Sequence, residues 1–419
     1  MKSKKGLVQA IGPLVVASLL LGILLLSPFS LPTKPSAAEM RKGATSLSLN
    51  VIKGNTMKNT ALASDHYLPF FGSSELSRVD SFHPSVLARK YKRDYEPFLL
   101  GAPGTQSLVH YFLINSLRDE LDKRPIVFVI SPQWFVKKGI SDQYFSMYYS
   151  PLQTYQWLMN LDEITEQEKY LANRLLDFTS ISSDTYLSTM LNKIKDGEPL
   201  SKANHIRIEQ QFHLLSREDE LFYKFWRGDK EKAIKKRLTY LPDNYNVAEL
   251  DKIATKMGKD GTNNNDLELA NLFYSSRVAP ARKKLENSQV KYNYLKSPEY
   301  GDFQLVLDEL AKHNIKPLFI IPPVNKKWSD FTGISEEMLN TFSKKITEQL
   351  TSQGFDQIAD YTQERGVNYF MEDTIHLGWR GWLAVDQDLQ KFLKNDQQPH
   401  YKINNEKYLS PEWAKEDKF

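Results

Sequence analysis

The sequence predicts an α/β protein built on a doubly wound parallel sheet that is flanked by helices. Three observations support this fold class: the candidate strands are short and continuously apolar, helical segments separate them, and turn residues follow them. Continuous apolar strands are typical of a parallel sheet covered on both faces, and alternation with helices favours parallel pairing. The predicted strands cover residues 67–71, 97–100, 125–130, 316–321 and 355–361.

The predicted helices lie between and after these strands. Pro84 suits the first turn of a helix that ends near Tyr91, and Ser335 suits the cap of a helix at 336–352. The stretch 151–298 has few β-rich runs and many helical ones, so we predict a mainly helical insertion between the third and fourth strands. The other predicted helices cover residues 106–121, 166–178, 205–226, 303–313 and 379–393.

The N-terminus indicates where the chain is located. Residues 7–31 contain no charged residue, and a helix of about 20 such residues can cross a bilayer. The lysines before this run predict a cytoplasmic tip, so residues 1–31 would form a transmembrane helix and anchor an extracellular body. A cleaved signal peptide is the alternative, because Ser36, Ala37 and Ala38 offer small residues at a cut site.

The remaining patterns divide the chain into segments. Residues 32–59 are polar, with Pro, Ser, Lys and Thr, and predict a tether between the bilayer and the body. The body would consist of a first core part at 60–150, the insertion at 151–298, and a second core part with a C-terminal tail at 299–419.

The composition excludes several kinds of chemistry. The 419 residues include no cysteine, which removes disulfides, thiol catalysis and cysteine-based metal sites. The net charge of +4 is mild, so nucleic acid is not the favoured partner, although such a surface tolerates an anionic polymer or membrane. The sequence has no further histidine cluster, no phosphate-binding glycine-rich loop and no dinucleotide fingerprint. We therefore predict neither a metal nor a cofactor.

Ser74 is the candidate nucleophile. It follows Gly72 and the apolar run 67–71, at a tight strand-to-helix turn of the kind that presents nucleophilic hydroxyls. A helix N-cap is the alternative role, because Ser before Glu is a frequent helix start. The two roles are compatible, since a nucleophile at a helix N-terminus gains from the amide dipoles there. The neighbouring Ser73 is the alternative nucleophile.

Asp373 and His376 suit a general base and the residue that orients it. Residues three apart can share one face of a helical turn. Asp80 and His83 have the same spacing, but they lie next to a proline-started helix, where capping explains them more simply. Asp373 and His376 follow the last predicted strand, at the edge where open α/β sheets place their sites. Asp373 could instead cap the helix of Trp379.

Acyl chemistry also needs donors for a developing oxyanion. Three candidates lie just past predicted strand ends: the backbone N–H of Ser74, the N–H of Gly104 and the side-chain amide of Gln133. Gly104 also fits an ordinary turn, and Gln133 also fits an ordinary surface loop.

This order of motifs resembles the SGNH (GDSL-type) hydrolase superfamily. The chain resembles the DltD family more closely, through its apolar N-terminus and through Phe71-Gly72-Ser73-Ser74-Glu75-Leu76, Pro322-Pro323-Val324-Asn325 and Asp373-Thr374-Ile375-His376-Leu377. The resemblance covers nearly the full length and implies a Gram-positive membrane protein that acts outside the cell in the D-alanylation of lipoteichoic and teichoic acids. The partners it implies are the polymer, the D-alanyl carrier protein and the membrane-bound O-acyltransferase of the pathway.

The superfamily pattern carries over to Ser74 as nucleophile, His376 as base and Asp373 as its orienter. Ser73 stands where the superfamily has an Asp, and Gln133 stands where it has the oxyanion-hole Asn. The predicted function is serine acyl transfer through a D-alanyl-serine intermediate. The alternatives are an esterase or thioesterase that releases D-alanine to water, and a non-catalytic adaptor that docks the carrier protein or the acyltransferase.

Overall fold

The structure is a computed structural model that describes residues 2–26, 34–224 and 228–419. Its strands form one parallel sheet: β1 Tyr67–Phe71, β2 Glu96–Leu100, β3 Pro125–Val129, β4 Lys316–Ile321 and β5 Ile358–Asp360. Their order in the sheet is β2-β1-β3-β4-β5, and each neighbouring pair is parallel. The predicted α/β fold with a parallel sheet is confirmed, and β5 is shorter than predicted.

The strand order creates a reversal next to β1. The chain passes from β1 to β2 on one side and then continues with β3 on the other side of β1. Phe70 and Phe71 of β1 lie opposite Val127 and Phe128 of β3. Open α/β sheets bind ligands in the crevice at the carboxyl ends of strands where the order reverses. The residues that follow β1 and β3 therefore lie at the position expected for a site.

The two faces of the sheet pack into separate apolar layers, because side chains alternate along each strand. Phe71, Phe128 and Phe319 belong to one buried layer. Phe70 and Val127 belong to the other. Helices cover both layers, which explains why the strands are apolar at successive positions.

Helices fill the segments around the strands. Those before β3 are Lys2–Leu26, Ala37–Gly43, Leu49–Lys53, Thr56–Leu62, Pro84–Lys90, Ser107–Ser116 and Arg118–Leu121. Those after residue 298 are Glu299–Lys312, Lys326–Thr332, Glu336–Thr351, Trp379–Phe392, Asn405–Tyr408 and Pro411–Lys415. Short 3₁₀ turns follow β1, β3 and β5 at Ser74–Ser77, Pro132–Phe135 and Thr362–Gly366.

The long connection between β3 and β4 is helical in the part that the structure describes. Its buried residues reach both apolar layers, since Ile208 and Val278 pack into one and Ile234 and Leu250 into the other. The α-helices of this connection are Asp142–Tyr148, Pro151–Met159, Glu166–Leu175, Thr179–Ser182, Thr185–Lys195, Lys202–Phe222, Glu231–Leu238, Val247–Gly261, Asn271–Phe273 and Arg282–Leu285.

The predicted tether at 32–59 is wrong from residue 37 onward. This stretch forms short helices, and Val51 and Met57 are buried in the core. The Thr56 N–H donates to Asp219 Oδ2 at 2.7 Å, which ties the stretch to the insertion. The segment is polar on average, but it contains apolar side chains that are spaced closely enough to pack into the core. It therefore belongs to the folded body.

The helix predicted at 106–121 is interrupted. The first helix ends at Ser116, and Leu117 leaves the helical conformation with φ −113° and ψ 8°. The Ser116 hydroxyl donates to the Leu113 carbonyl at 2.8 Å. Serine side chains that bond to nearby carbonyls compete with the helix backbone, which accounts for a break that the apolar pattern does not reveal.

The N-terminal helix spans Lys2–Leu26. Across the described ranges, none of the helices has both the length and the apolar content that are needed to cross a bilayer. Residues 1 and 27–31 of the predicted anchor lie outside the described residues. The same holds for residues 32 and 33 of the predicted tether and for residues 225 and 226 of the helix predicted at 205–226.

Candidate active site

Ser74 lies where the chain turns out of β1. The turn is tight, because a Cβ on Gly72 would lie 2.4 Å from Glu75 Oε1. The Ser74 Oγ lies 2.6 Å from His376 Nε2, which is a hydrogen-bond distance. The fold thus brings the predicted nucleophile and the predicted base together from distant parts of the sequence.

His376 lies in a loop that follows β5. A bridge between Met371 and Leu377 closes the base of this loop. Residues 372–376 form a series of bends, so the three-residue spacing of Asp373 and His376 is not that of a helical turn. Asp373 organises these bends, since its Oδ1 accepts the backbone N–H groups of Ile375 and His376 at 3.1 Å each.

Asp373 also contacts the imidazole ring of His376. Its Oδ1 and Oδ2 lie 2.8 and 2.9 Å from Nδ1. A carboxylate at this position favours the tautomer with the proton on Nδ1, which leaves Nε2 free to accept the Ser74 hydroxyl proton. Asp373 is not the cap of the following helix, because the N-cap residue of Trp379–Phe392 is Gly378.

Opposing effects set the pKa of Asp373. Burial raises it, but His376 and the Arg78 guanidinium lower it more, so the net pKa lies below the ordinary value. Arg78 Nη2 lies 2.8 Å from Asp373 Oδ2. Burial raises the pKa of the neighbouring carboxyl groups of Glu75 and Glu372. Asp373 is therefore the carboxyl group of this cluster whose surroundings favour the charged form.

Ser73 faces away from the imidazole. Its Oγ lies 3.3 Å from the Ala102 carbonyl oxygen and accepts the Gly104 N–H at 3.1 Å. The residue is buried between the loops that follow β1 and β2. Of the two neighbouring serines, the structure therefore places Ser74 beside His376 and uses Ser73 to join two loops.

The candidate oxyanion donors differ in their surroundings. Gly104 has φ +95°, and a Cβ there would lie 2.2 Å from the Tyr144 ring; its N–H is bonded to Ser73. Gln133 lies half-buried in the 3₁₀ turn after β3. Hydrogen bonds among the described residues do not join Gly104 or Gln133 to Ser74. The Ser74 N–H begins a 3₁₀ turn, where backbone donors lack partners within the turn.

Asp80 and His83, the other Asp and His with this spacing, have the capping role that the sequence favoured. His83 is the N-cap of Pro84–Lys90, and its Nδ1 accepts the Ser85 N–H at 3.2 Å. Asp80 Oδ1 accepts the Phe82 N–H at 2.6 Å. Both side chains are buried and serve the local turn.

Sequence reasoning missed further residues that shape the site. Glu75 accepts the Ser73 N–H and is buried next to Ser74. The buried Thr105 hydroxyl donates to the Gly72 carbonyl at 2.7 Å and so connects the loops after β1 and β2. Arg78 belongs to no recognised motif. The one indication in the sequence that it could lie near the site is its position four residues after Ser74. Such contacts depend on how loops meet, which a linear pattern does not encode.

The fold and the site together define a class of protein: an α/β protein whose parallel sheet presents a hydrogen-bonded Ser–His–Asp set at its carboxyl edge. The family model of the DltD protein matches residues 44–394. The chain therefore belongs to the DltD family, and the resemblance to this family that its motifs indicated is confirmed.

Relatives of known family support this assignment over almost the whole chain. Protein DltD of Lacticaseibacillus rhamnosus is 43% identical, and the match covers 96% of this chain and 95% of that protein. Protein DltD of Bacillus subtilis is 32% identical over 91% of this chain and 97% of its own length. Protein DltD of Staphylococcus aureus is 28% identical over 85% of this chain and 88% of its own length.

Proposed function

We propose that this chain is a serine acyltransferase of SGNH type that transfers D-alanine to teichoic acids. DltD proteins are involved in the D-alanylation of teichoic acids, and this chain belongs to that family. The observation that carries the catalytic part of the proposal is the 2.6 Å contact between Ser74 Oγ and His376 Nε2, with Asp373 on the far side of the ring. A hydroxyl, a base and an orienting carboxylate in this arrangement suit nucleophilic acyl transfer.

In the proposed mechanism Ser74 forms the acyl intermediate. Its oxygen attacks the carbonyl carbon of a D-alanyl ester or thioester while its proton passes to His376 Nε2. The bond from that carbon to the donor's oxygen or sulfur then breaks, and the leaving group takes the proton from Nε2. A polymer hydroxyl next gives its proton to Nε2 and attacks the ester carbon. Ser74 leaves with that proton, and the acyl group ends on the polymer.

Asp373 would orient the imidazole and stabilise the imidazolium that forms in each half of the reaction. The donors proposed for the carbonyl oxygen are the Ser74 N–H, the Gly104 N–H and the Gln133 amide. The Ser74 N–H has the best support, because it begins a turn and makes no hydrogen bond with another described residue. Gly104 would have to exchange its bond to Ser73 for a bond to the substrate.

An anionic polymer as acceptor fits the charges of the helix Glu231–Leu238. Lys232, Lys235, Lys236 and Arg237 are exposed and form no ion pair with the described residues. Unpaired cations on one helix attract phosphate groups without fixing a sequence or a geometry. The basic residues 282–284 fit this role less well, because Arg282 is already held by Asp266 through two contacts of 2.8 Å.

The proposed setting is the outer face of the cell membrane, with residues 1–31 as the anchor and the body outside. The uncharged run at 7–31 supports the anchor. The proposed partners are the membrane-bound O-acyltransferase and, as the source of D-alanine on the cytoplasmic side, the D-alanyl carrier protein.

Labelling with a serine-directed fluorophosphonate tests the nucleophile. We expect the full-length chain and its Ser73→Ala variant to be labelled and Ser74→Ala to be unlabelled, because the base contacts Ser74. Ser73→Ala is the matched control, since it removes a neighbouring hydroxyl that is bonded elsewhere. Labelling that is lost in Ser73→Ala and kept in Ser74→Ala would reject the assignment.

A second assay tests the direction of the reaction. The chain, without fluorophosphonate treatment, is incubated with a D-alanyl thioester and teichoic acid, and the D-alanine on the polymer is compared with the D-alanine in solution. We expect D-alanine on the polymer in amounts that depend on Ser74. Release to water alone would make the chain an esterase or thioesterase, and polymer labelling that persists in Ser74→Ala would favour the adaptor.

A further inference from the structure

We infer that Arg78 is a positioning residue of this site, which holds the Asp373 carboxylate charged and oriented behind His376. The inference rests on the proposed function, because it gives Arg78 a part in the same proton transfer. It adds a residue that no motif of the chain indicates.

The contacts of Asp373 support this role. Arg78 Nη2 lies 2.8 Å from Asp373 Oδ2. The other oxygen, Oδ1, accepts the backbone N–H groups of Ile375 and His376, and the imidazole Nδ1 lies within 2.9 Å of both oxygens. Asp373 is fully buried, and a buried carboxylate needs compensating charge to stay ionised. A guanidinium supplies that charge at every relevant pH.

The position of Arg78 in the chain gives the contact a second effect. Arg78 follows the 3₁₀ turn that begins at Ser74, whereas Asp373 and His376 lie in the loop after β5. The ion pair therefore ties the loop of the nucleophile to the loop of the base. A displacement of either loop by about 1 Å can cost roughly a hundred-fold in rate.

The helical insertion covers Arg78 from the outside. The guanidinium lies 5.7 Å from the centre of the Phe273 ring, and the nearby Ala270 N–H donates to the Glu372 carbonyl at 2.8 Å. Arg78 Nη1 also lies 3.5 Å from Glu372 Oε1. These contacts leave the Arg78 side chain 27% exposed, so water screens the ion pair only in part.

The charges around the site predict how removal of Arg78 would act. The acidic groups near Asp373 and His376 are Glu372, Glu75 and, beyond Glu372, Asp80; Arg78 is the cation in direct contact with Asp373. Without it, Asp373 would ionise less readily, because Arg78 is one of the groups that lower the pKa of this buried carboxyl group. The fraction of the chain with an ionised Asp373 behind the imidazole would therefore fall at low pH.

The test is the rate of fluorophosphonate labelling against pH for the full-length chain. We expect Arg78→Gln to move the acid limb of the profile to higher pH by about one unit. This is near the lower end of the pKa change that an opposite charge in direct contact causes. A shift of one unit is a loss of about ten-fold in rate below both midpoints, with a much smaller change at alkaline pH. Arg78→Lys, which keeps a charge but loses the fork geometry, should move the limb in the same direction by less.

Arg89→Gln is the matched control. Arg89 forms a two-contact ion pair with Glu231 at 2.9 and 3.0 Å and is 20% exposed, so it resembles Arg78 in burial but lies outside the site. We expect Arg89→Gln to lower thermal stability and to leave the acid limb unmoved. Thermal unfolding of each variant shows whether it is folded. If Arg78→Gln is not folded, Arg78→Lys takes its place in the test.

The outcomes separate this inference from the proposed function. If Ser74→Ala is labelled as fast as the parent chain, the proposed function fails whatever Arg78 does. If Ser74→Ala is unlabelled and the acid limb of the folded Arg78 variants equals that of the parent, the inference about Arg78 is overturned. It is equally overturned if Arg89→Gln moves the limb as far as Arg78→Gln.

Discussion

Gly101 lies where the loops after β1 and β2 approach each other closely. A Cβ on Gly101 would lie 1.9 Å from the Gly72 carbonyl oxygen and 2.6 Å from its carbonyl carbon. Ordinary contacts of a Cβ with backbone atoms lie above 3.0 Å, so Gly101→Ala forces the two backbones apart by about 1 Å or more. The neighbour is backbone, which cannot rotate away as a side chain can.

The displaced group belongs to the turn that presents Ser74, the proposed nucleophile. Gly72 precedes Ser74 by two residues, and its carbonyl accepts the Thr105 hydroxyl at 2.7 Å. Separation of the loops would strain this bond and move the Ser74 hydroxyl relative to His376. A misplacement of about 1 Å corresponds to a loss of roughly a hundred-fold in rate. The overpacking itself should cost about 1–3 kcal/mol in the free energy of unfolding.

The rate of fluorophosphonate labelling and the free energy of unfolding are measured together for Gly101→Ala. Gly366→Ala is the control, because a Cβ there meets only Lys326 Cδ at 3.6 Å, an ordinary contact. We expect the control to keep the parent rate. A Gly101→Ala protein that is labelled within about two-fold of the parent rate would show that the loop spacing does not set the alignment of Ser74.

Two other predictions concern stability and location. Burial raises the pKa of Asp80 from 3.8 to about 7, so between about pH 4 and 7 the folded chain retains a proton that the unfolded chain releases, and stability falls as the pH rises. Asp80→Asn keeps an acceptor for the Phe82 N–H and should remove this pH-dependent loss of stability. The loss is at most about 4 kcal/mol, at about 1.4 kcal/mol per tenfold change in the ionisation constant. Denaturant unfolding at several pH values measures the loss, and equal pH dependence of stability in both proteins would contradict the prediction. For location, a cysteine at the exposed Asn264 should react with an impermeant maleimide on wall-free cells, while a cysteine at Ser3 should be protected; protection at position 264 would reject the extracellular body.

The sequence identified the strands well because the sheet is parallel and covered on both faces. Such strands are continuous apolar runs, and β1, β3 and β4 begin where these runs begin. The helical character between β3 and β4 was equally visible in local composition. The predicted tether is wrong from residue 37 onward, because the polar composition of this stretch does not reveal that residues such as Val51 and Met57 are buried.

The site was partly visible for a topological reason. In a parallel sheet the residues after each strand gather at one edge, so Ser74 after β1 and His376 after β5 could be expected to lie together. The sequence favours Ser74 as nucleophile and leaves Ser73 as the alternative, since the choice depends on which hydroxyl lies beside the ring. It gave no role to Arg78, because that contact joins two loops that are distant along the chain.

The sequence by itself determined the alternation of strands and helices, the choice of Ser74, Asp373 and His376 as candidate site residues, and the membership in the DltD family. Each of these depends on residue types and their order along the chain. The tertiary structure decided the distances: 2.6 Å from Ser74 to His376, a hydroxyl of Ser73 turned toward Gly104, and a guanidinium against Asp373. Proton transfer and ion pairing change when such distances differ by a few tenths of an ångström, and the distances are set only once loops from different strands have packed against one another.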